Sequence, residues 1–373
     1  MPPVPDPSNL YSETATGHMS PAVAGALERI YVPNLRSNDV SVIDPATFKV
    51  VDRFKVGINP QHVVPSWDLK TLYVANNAER RTDGSLTPID PTTGKPGAPI
   101  AVDDPYNMYF SPDGKSAIVV AEALKRLDFR DPHTMELQYS IAVPRCGGIN
   151  HADFSIDGRF AIFTCEFNGT VAKIDLVERK VLGYLQLIKP GKPTQLVKGP
   201  DGRDEIICTV WKGMPQDIRI SPDGKLFYVA DMMSDGVFVV DGESLRQIEF
   251  IPTGVGTHGL YPSRDATKLY VANRGSNKIH GPPHGKGSVS VIDFATRKVV
   301  ATWSIAGGGS PDMGNVSADG KTLWLSGRYD DVVYAFDTTS GEVKAIKVGA
   351  EPHGLAVWPQ PGRYSLGHTG NMR

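Results

Sequence analysis

A repeating pattern of apolar and polar positions runs through nearly the whole chain. Each copy has a short apolar run, a turn of the type Ser-x-Asp-Gly, and a second apolar run such as Leu269-Tyr-Val-Ala-Asn273. A third run ends in aspartate, as in Val289-Ser-Val-Ile-Asp293, and a fourth alternates apolar and charged residues. Short apolar runs that are bounded by turn residues predict β-strands. Each copy therefore predicts four consecutive strands.

The copies recur with a base period of about 42 to 45 residues, which is typical of four-stranded propeller blades. The first copy lacks its first strand, and His353-Gly-Leu-Ala-Val-Trp358 supplies a lone first strand at the other end of the chain. We predict an all-β fold: a single seven-bladed β-propeller of four-stranded antiparallel blades. The C-terminal strand completes the N-terminal blade, which removes free sheet edges. The copies are counted by the aspartates after their third strands: Asp44, Asp90, Asp128, Asp175, Asp241, Asp293 and Asp337.

Three segments and two insertions follow from this repeat. Residues 1–27 are expected to form an extended N-terminal arm, 28–360 the propeller, and 361–373 a C-terminal tail. The insertion 189–214 reads as a hairpin (Gln195 to Lys198, a turn at Pro200-Asp201-Gly202, then Glu205 to Val210), either a lid or a decoration. The insertion 277–287 carries His280 and His284, but Gly-Pro-Pro between them excludes a helical metal motif and leaves a loop ligand.

Polar residues gather where the first strands begin. In a propeller these strands line the central channel, so the residues just before them converge on one mouth. Four of the nine histidines fall in these slots, and two registers occur, which a regular strand would point to opposite faces. We expect irregular strand starts that let all four face the channel. The slots are Gln61-His62, Tyr106-Asn107, Asn150-His151, Gln216-Asp217, Thr257-His258, Asp312-Met313 and Pro352-His353.

Imidazole suits copper, zinc, iron and nickel, so the pattern predicts a metal ion at the channel mouth. The metal candidates are His62, His151, His258 and His353. A second set could orient these rings or bind a cofactor: Asn107, Asp217, Asp312, Arg36 and Arg328. The structural alternative is that each histidine only caps its strand through a hydrogen bond to the next blade.

The strands Tyr-Val-Ala-Asn and Val-Ser-Val-Ile-Asp, together with Pro352-His-Gly-Leu-Ala-Val357, resemble the YVTN family of β-propeller repeats over about residues 28–360. Similar repeats occur in surface-layer proteins, lactonases, the methylamine dehydrogenase heavy chain and nitrous oxide reductase. Because nitrous oxide reductase holds its copper cluster with histidines in the same part of a similar propeller, the resemblance favours copper. This chain has about four such histidines rather than seven, so it implies a single ion.

Composition narrows the choice of partners. The chain has 373 residues, a formal net charge of -2 and 40% hydrophobic residues, as in soluble globular proteins. No basic stripe indicates nucleic acid, and no apolar run is long enough for a transmembrane helix. The start lacks signal-peptide features, so we expect either a cytoplasmic protein or, preferably, the mature form of an exported one. Of three cysteines, Cys146 and Cys165 could pair, but buried unpaired thiols are the favoured interpretation.

Three functions remain open. The first is a metal site, with an oxidoreductase as one option. The second is a lyase or lactonase that uses a general base and a carboxylate, for which we select His151 with Glu122 or Glu166. The third is a non-catalytic binding scaffold. No nucleophile elbow, P-loop, Rossmann glycine pattern or Cys-x-x-Cys-His occurs, so we expect no nucleotide cofactor and no covalent haem. The expected ligand is a small molecule or metal at the mouth, and a monomer fits.

Overall fold

The computed structural model describes residues 1–199, 202, 204–208, 211–368 and 370–373. Within these residues seven antiparallel sheets form a seven-bladed propeller, and this confirms the predicted fold class. Two 3₁₀ helices, Ser12–Thr14 and Pro21–Val23, lie in the arm before the first blade. No helix in the described part of the chain is long and apolar enough to cross a membrane.

Strands are numbered in chain order, which runs from the channel outward in blades 2 and 3, whereas β1 to β3 are the second to fourth strands of blade 1. Blade 2 has a split outer edge, because both β7 and β8 pair with β6. The strands of blades 1 to 3 are β1 Arg29–Asn34, β2 Asp39–Asp44, β3 Lys49–Lys55, β4 Pro60–Pro65, β5 Leu72–Asn76, β6 Ser85–Asp90, β7 Lys95–Pro96, β8 Ile100–Ala101, β9 Pro105–Phe110, β10 Ala117–Ala121, β11 Arg126–Arg130 and β12 Leu137–Ala142.

Blades 4 to 7 repeat the same order, and a separate hairpin of β17 and β18 lies between blades 4 and 5. Their strands are β13 Ile149–Phe154, β14 Phe160–Cys165, β15 Thr170–Asp175, β16 Lys180–Gln186, β17 Thr194–Lys198, β18 Asp204–Cys208, β19 Pro215–Ile220, β20 Leu226–Asp231, β21 Gly236–Asp241, β22 Arg246–Pro252, β23 Thr257–Pro262, β24 Lys268–Asn273, β25 Ser288–Asp293, β26 Lys298–Ser304, β27 Pro311–Val316, β28 Thr322–Gly327, β29 Val332–Asp337, β30 Val343–Lys347 and the closing strand β31 Ala356–Trp358.

Strand β31 closes the ring as the sequence predicts. It pairs antiparallel with β1 from Arg29 opposite Trp358 to Tyr31 opposite Ala356. Just before β31, the Gly354 N–H donates to the Gln61 carbonyl and the Val63 N–H donates to the Gly354 carbonyl, each at 2.9 Å. These bonds join the closing segment to blade 2.

The channel strands contain β-bulges where the polar slots lie. The pairing register shifts between Pro60 and His62 in blade 2, and between Thr257 and Leu260 in blade 6. A bulge places an extra residue on one strand and redirects the side chains beside it. Histidines in both registers can therefore face the channel. This is the role of the irregular strand starts expected from the sequence.

The apolar faces of the blades pack against each other in the ring. Tyr109, Phe154 and Phe163 are at most 1% exposed, and the Tyr109 ring lies 5.9 Å from both phenylalanine rings. The Tyr109 hydroxyl also accepts a hydrogen bond from the Ala152 N–H of the next blade at 2.8 Å. The interface between blades 3 and 4 thus combines apolar burial with a satisfied backbone donor at the bulge.

Cys146 and Cys165 form a disulfide, so the favoured interpretation as unpaired thiols is wrong. Their Cα atoms lie 4.9 Å apart, within the usual range for a disulfide. The reason is the strand pairing, because Ile149 lies opposite Cys165 and Cys146 precedes Ile149 by one tight turn. This register is set by strand pairing in the folded blade, so the sequence alone does not show that the two cysteines lie together.

The insertion 189–214 contains the antiparallel hairpin β17–β18, with Val197 paired to Glu205. Its predicted turn residues Pro200 and Asp201, and the predicted strand residues Thr209 and Val210, lie outside the described residues. On the described part, Arg145, in the loop that leads from β12 into blade 4, forms an ion pair with Glu205 at 2.6 Å. This contact ties the hairpin to the edge of blade 4.

The segment 361–373 enters the channel instead of lying on the surface. The Phe110 N–H donates to Leu366 O at 3.0 Å, and the His368 N–H donates to Met108 O at 2.9 Å. The N-terminal arm packs beside it, where the Gly362 N–H donates to His18 O at 3.1 Å. Arm and tail together fill the end of the channel that carries the Ser-x-Asp-Gly turns.

Candidate metal centre in the central channel

Five histidine side chains meet in the middle of the channel, and each is at most 1% exposed. His62 lies at the centre of this group, with ring centroids 4.9 Å from His353, 5.2 Å from His368 and 5.3 Å from His151. His258 completes the group at 5.9 Å from His353. The structure therefore brings together all four histidines selected from the sequence and adds His368 from the tail.

Three of these histidines form a set that could hold a metal ion. Ligand atoms of His62, His151 and His368 all lie within 4.8 Å of one another. Among the described residues, both ring nitrogens of His62 and the Nε2 atom of His151 have no hydrogen-bond partner, and His368 Nε2 has only Asp217 Oδ1 at 3.4 Å. A buried polar atom that is left unpaired costs about 1–3 kcal/mol. Such a cost fits atoms that are arranged for a ligand, and neutral imidazole is a common metal ligand.

His368 was missed from the sequence because it belongs to no repeat. Residues 361–373 contain glycine, tyrosine and leucine but only two charged residues, Arg363 and Arg373. This low charge is unusual for an exposed tail and is the one signal that pointed to burial. No periodicity could show that the segment turns back into the ring.

Asp312 orients the other two histidines. Its Oδ1 lies 2.9 Å from His258 Nδ1, and its Oδ2 lies 2.7 Å from His353 Nδ1. The Nε of Arg274 donates to Oδ1 at 2.7 Å. A carboxylate at Nδ1 fixes the tautomer and leaves Nε2 for another contact. Asp312 therefore has the orienting position that the sequence suggested.

Asn107 is shared by two rings of the candidate set. Its Nδ2 lies 3.1 Å from His151 Nδ1 and 2.9 Å from His368 Nδ1. An amide nitrogen only donates, so both Nδ1 atoms accept in this arrangement and each ring carries its proton on Nε2. Coordination through Nε2 would require the amide to present its oxygen, which now accepts from the Met108 N–H at 2.8 Å. Asn107 thus controls which nitrogen of each ring is free.

Burial keeps the histidines neutral. It lowers the pKa of His62 and His151 well below the usual value, and neighbouring histidines add to the effect. Burial and the Arg274 charge lower the pKa of His258 to about 4, although Asp312 opposes them. Burial would raise the pKa of Asp312, but Arg274 and the two histidines outweigh it and hold that pKa well below its usual range. Metal ligands must be unprotonated, and these rings meet that condition at neutral pH.

The glycine of Pro352-His353-Gly354 has a definite role beside the cluster. A Cβ at Gly354 would lie 2.0 Å from His62 Nδ1, and this ring is completely buried. Any side chain there would displace the His62 ring. The motif therefore supplies His353 and also makes room for His62 of the neighbouring blade.

Glu122 and Glu166 lie on one wall of the mouth, near Tyr106. The Tyr106 ring is 5.4 Å from His62 and 5.9 Å from His151. Asn150 Nδ2 donates to Glu166 Oε2 at 3.1 Å. Burial raises the pKa of both glutamates, and the Glu166 charge raises the pKa of Glu122 further. No hydrogen bond joins His151 to either carboxylate among the described residues, so the selected acid–base pair is close but not in contact.

Arginines lie on the opposite wall. Arg328 has an Nη2 atom 3.3 Å from Glu351 Oε1 and an Nη1 atom 4.0 Å from Asp312 Oδ2. Arg36 also pairs with Glu351, but its side chain is 63% exposed. Of the two selected arginines, only Arg328 is therefore buried beside the histidines.

Asp217 lies deeper in the channel, below the histidine group. It accepts from the Leu260 N–H at 2.9 Å and from Arg219 Nη1 at 3.0 Å, and its Oδ1 is 3.4 Å from His368 Nε2. Burial would raise its pKa, but Arg219 and His368 lower it. Asp217 thus supports the tail histidine and has its own structural partners.

The histidines of the insertion 277–287 do not join the cluster. His280 and His284 have side chains that are 58% and 71% exposed. His280 Nδ1 lies 3.7 Å from Glu351 Oε1, and His284 Nδ1 lies 3.4 Å from Asp330 Oδ1. The loop packs on blade 7, where the Tyr329 hydroxyl donates to Lys278 O at 2.7 Å. It forms part of the rim of the mouth.

Comparison with protein-family models gives two matches. The YNCE-like beta-propeller model matches residues 7–135 and 206–361. The model described as lactonase, 7-bladed beta-propeller, matches residues 105–281. No curated protein matches the chain.

Solved structures match over most of the chain. Hydrazine synthase of Kuenenia stuttgartiensis is 19% identical, with a TM-score of 0.60, covering 88% of this chain and 94% of that one. The dihydro-haem d1 dehydrogenase NirN in complex with DHE is 16% identical, with a TM-score of 0.61, covering 92% and 77%. A functionally unknown protein from Desulfotomaculum acetoxidans is 13% identical, with a TM-score of 0.59, covering 87% and 98%. At these identities the likeness concerns the fold alone.

Proposed function

The chain belongs to the YNCE-like β-propeller family, and from this premise we propose that it binds one transition-metal ion through His62, His151 and His368. The observation that supports this proposal is a set of four buried ring nitrogens, of which three have no partner and the fourth, His368 Nε2, has only a 3.4 Å contact with Asp217. They belong to three rings whose ligand atoms lie within 4.8 Å of one another. His258 and His353 flank the set, and Asp312 holds them by their Nδ1 atoms.

Copper is the metal we propose. The donor set consists of neutral imidazoles, and the affinity of such sites for divalent metals is greatest for copper. A bound copper ion would supply one-electron redox chemistry, which makes an oxidoreductase the preferred activity. The chain's own residues hold the rings in place, and the tail, whose described residues are all buried except Arg363, excludes water from one end of the channel.

The test is metal analysis of protein that carries no histidine tag. We expect one copper ion per chain after reconstitution of chelator-treated protein. His62→Leu and His368→Leu should each lower the affinity at least tenfold, since each removes a ligand. His280→Leu is the matched control, because that histidine is exposed on the rim and should leave the affinity unchanged. Circular dichroism of each variant checks that the propeller is folded.

Two results would overturn the metal proposal. One is wild-type protein that retains no stoichiometric copper or zinc after dialysis. The other is equal metal content in the wild type, His62→Leu and His368→Leu. Either result would favour a non-catalytic scaffold whose histidines serve only the fold.

A lactonase-type hydrolysis is the second candidate, and the match to the lactonase model over residues 105–281 supports it. That stretch contains Tyr106, Glu122, His151 and Glu166, so it includes the acidic wall of the mouth. Carboxylates with raised pKa values suit general acid–base work. Hydrolysis of a lactone panel by wild type, lost in Glu166→Gln and kept in the exposed-site variant Glu79→Gln, is the expected outcome of this alternative. Wild-type inactivity on every lactone would exclude it.

We also propose that the protein folds in an oxidising compartment, as an exported mature form would. The Cys146–Cys165 disulfide supports this, since structural disulfides are rare in reducing cytosol. Mass analysis of alkylated protein from the native source should find two cysteines blocked and one, Cys208, free. Three alkylated cysteines would contradict the proposal.

A further inference from the structure

One position in each blade forms the top of the mouth, directly after the second strand. Its equivalence is structural, because the N–H of this residue bonds to the loop before the blade's own first strand, as for Glu166 to Gly148, Arg274 to Gly256 and Arg328 to Ser310. From blade 1 to blade 7 the position reads Leu35, Asn77, Glu122, Glu166, Met232, Arg274 and Arg328. Charge is therefore sorted around the ring: two adjacent blades are acidic and two adjacent blades are basic.

The acidic and basic blades face each other. In a ring of seven, blades 3 and 4 lie across the channel from blades 6 and 7. At the level of the histidines the walls of blades 4 and 6 are close, with the His151 and His258 ring centroids 6.4 Å apart. Burial raises the pKa of Glu166, and the charges of Arg274 and Arg328 oppose this shift from the other wall. The two walls thus interact across a narrow gap.

Each wall has one charged group with an unmet hydrogen bond. Glu122 is only partly exposed, and its carboxylate has no hydrogen-bond or ion-pair partner among the described residues. Across the channel, the Nε of Arg328 has no acceptor among those residues, although the residue is 4% exposed. The unmet donor of Arg328 is buried and is costly unless a ligand completes it, and the partly exposed Glu122 carboxylate is open to a cation. A ligand that carries only a negative charge or only a positive charge would meet only one of these two groups.

We propose that the mouth binds a small zwitterion that carries a primary ammonium group and a carboxylate. The ammonium group lies against Glu122 and Glu166, and the carboxylate accepts from Arg328. Arg274 and Arg328 are paired with Asp312 and Glu351, and the Nε of Arg328 is the donor that remains to take the ligand's carboxylate.

This proposal does not depend on the metal. The charged position follows the second strands, whereas the histidines lie on the channel strands and the tail, and no hydrogen bond joins Glu122 or Glu166 to a histidine among the described residues. Binding is therefore expected in metal-depleted protein as well. The same preparations therefore distinguish the two proposals. Zwitterion binding by protein that binds no metal would leave this proposal standing while the metal proposal fails.

Isothermal titration of metal-depleted protein tests the proposal with glycine, β-alanine and 4-aminobutyrate. Propionate and propylammonium serve as singly charged probes of similar size. We expect at least one of the three zwitterions to bind at least tenfold more tightly than either singly charged probe. Glu122→Gln should weaken zwitterion binding at least tenfold and leave propionate binding unchanged.

Matched variants separate the site from general electrostatics. Glu79→Gln and Arg36→Gln remove exposed charges from the same rim and should change affinity less than twofold. Arg328→Lys keeps the charge, loses the Nε donor and should weaken zwitterion binding at least fivefold, and Glu166→Gln provides a second acidic-wall variant if Glu122→Gln does not fold. Equal affinity for propionate and the zwitterions would overturn the proposal, as would no binding at all. Calcium binding that Glu122→Gln abolishes would overturn it too, since the carboxylates would then serve a metal.

Discussion

The two ends of the channel treat buried polar groups in opposite ways. At the end filled by arm and tail, Asp153 accepts from Arg373 Nη2 at 2.5 Å, from Asn371 Nδ2 at 3.0 Å and from the Ile220 N–H at 2.9 Å. Toward the mouth, His62 is equally buried and has no partner for either ring nitrogen among the described residues. Both regions are polar, but the Asp153 cluster is internally complete and the histidine group is not.

The difference separates structural polar groups from candidate functional ones. Buried polar groups in folded proteins are nearly always satisfied, so completeness at Asp153 indicates a role in holding the fold. Incompleteness at His62 indicates a site whose partner comes from outside the chain. Burial and charge alone would have ranked the two residues together, whereas their hydrogen bonds distinguish them.

Breaking the Asp153 cluster should have the largest effect on stability. Arg373→Ala leaves Asp153 as a buried carboxylate without its cation, and we expect a loss of about 3–5 kcal/mol in the free energy of unfolding. Urea denaturation measures it, and Asp153→Asn in the same chain should recover part of the loss. Arg363→Ala is the control, because that side chain is 32% exposed and lies 4.0 Å from Glu13, so about 1 kcal/mol or less is expected. Equal losses in the two variants would refute the distinction.

Lowering the pH should destabilise the protein through the histidine group. The folded-state pKa of His258 is about 4, against about 6.5 when unfolded, so its stabilising neutral state is fully present above pH 6.5. As the pH falls through this window the unfolded chain binds the proton first, and His258 alone should cost about 3 kcal/mol by pH 4. Urea midpoints of metal-depleted protein at several pH values measure this slope. A slope that His258→Gln leaves unchanged would assign the effect to other groups.

Replacing histidines by leucine should give opposite signs at two positions. In metal-depleted protein, His62→Leu removes two unpaired nitrogens, so we expect a gain of about 1 kcal/mol in the free energy of unfolding. His353→Leu deprives Asp312 of a partner at 2.7 Å and should cost about 1–3 kcal/mol. Thermal unfolding of both variants side by side measures the contrast. Destabilisation by both would mean that His62 has a structural role.

Substitution of Asn107 should change the metal affinity, and this is the smallest of the expected effects. Asn107→Asp supplies two acceptor oxygens for the Nδ1–H groups of His151 and His368, which frees both Nε2 atoms for a metal. We expect metal affinity to rise about tenfold, and Asn107→Leu to lower it about tenfold, the usual scale for residues that orient metal ligands. Competition with a chromophoric chelator measures both. Weaker binding by Asn107→Asp would show that coordination does not use Nε2.

The repeat made most of the fold predictable. Strand content, blade number and closure by Ala356–Trp358 all follow from local patterns that recur along the chain. The same alignment selected His62, His151, His258 and His353, because equivalent positions in a ring must meet at the channel. Symmetry thus converts sequence position into three-dimensional position without any knowledge of contacts.

Features that break the symmetry were not predictable in the same way. His368 reaches the cluster only because the segment 361–373 turns into the channel, and no repeat describes that path. The Cys146–Cys165 pair depends on the register between a loop and β14, which is fixed on folding. The contact of one Asn107 amide with two rings joins β9, β13 and the tail. Each of these features depends on contacts between segments that local pattern does not encode.

Closure of the ring by β31 also sets an order for assembly. A nascent chain that ends at Lys347 can form blades 2 to 7, but it lacks His353 and His368, two of the five channel imidazoles. The metal proposed here would therefore meet a closed, already rigid ring and not a flexible chain that adapts to whichever ion arrives first. Under that proposal, the ions present in the compartment where folding ends decide which metal the protein acquires.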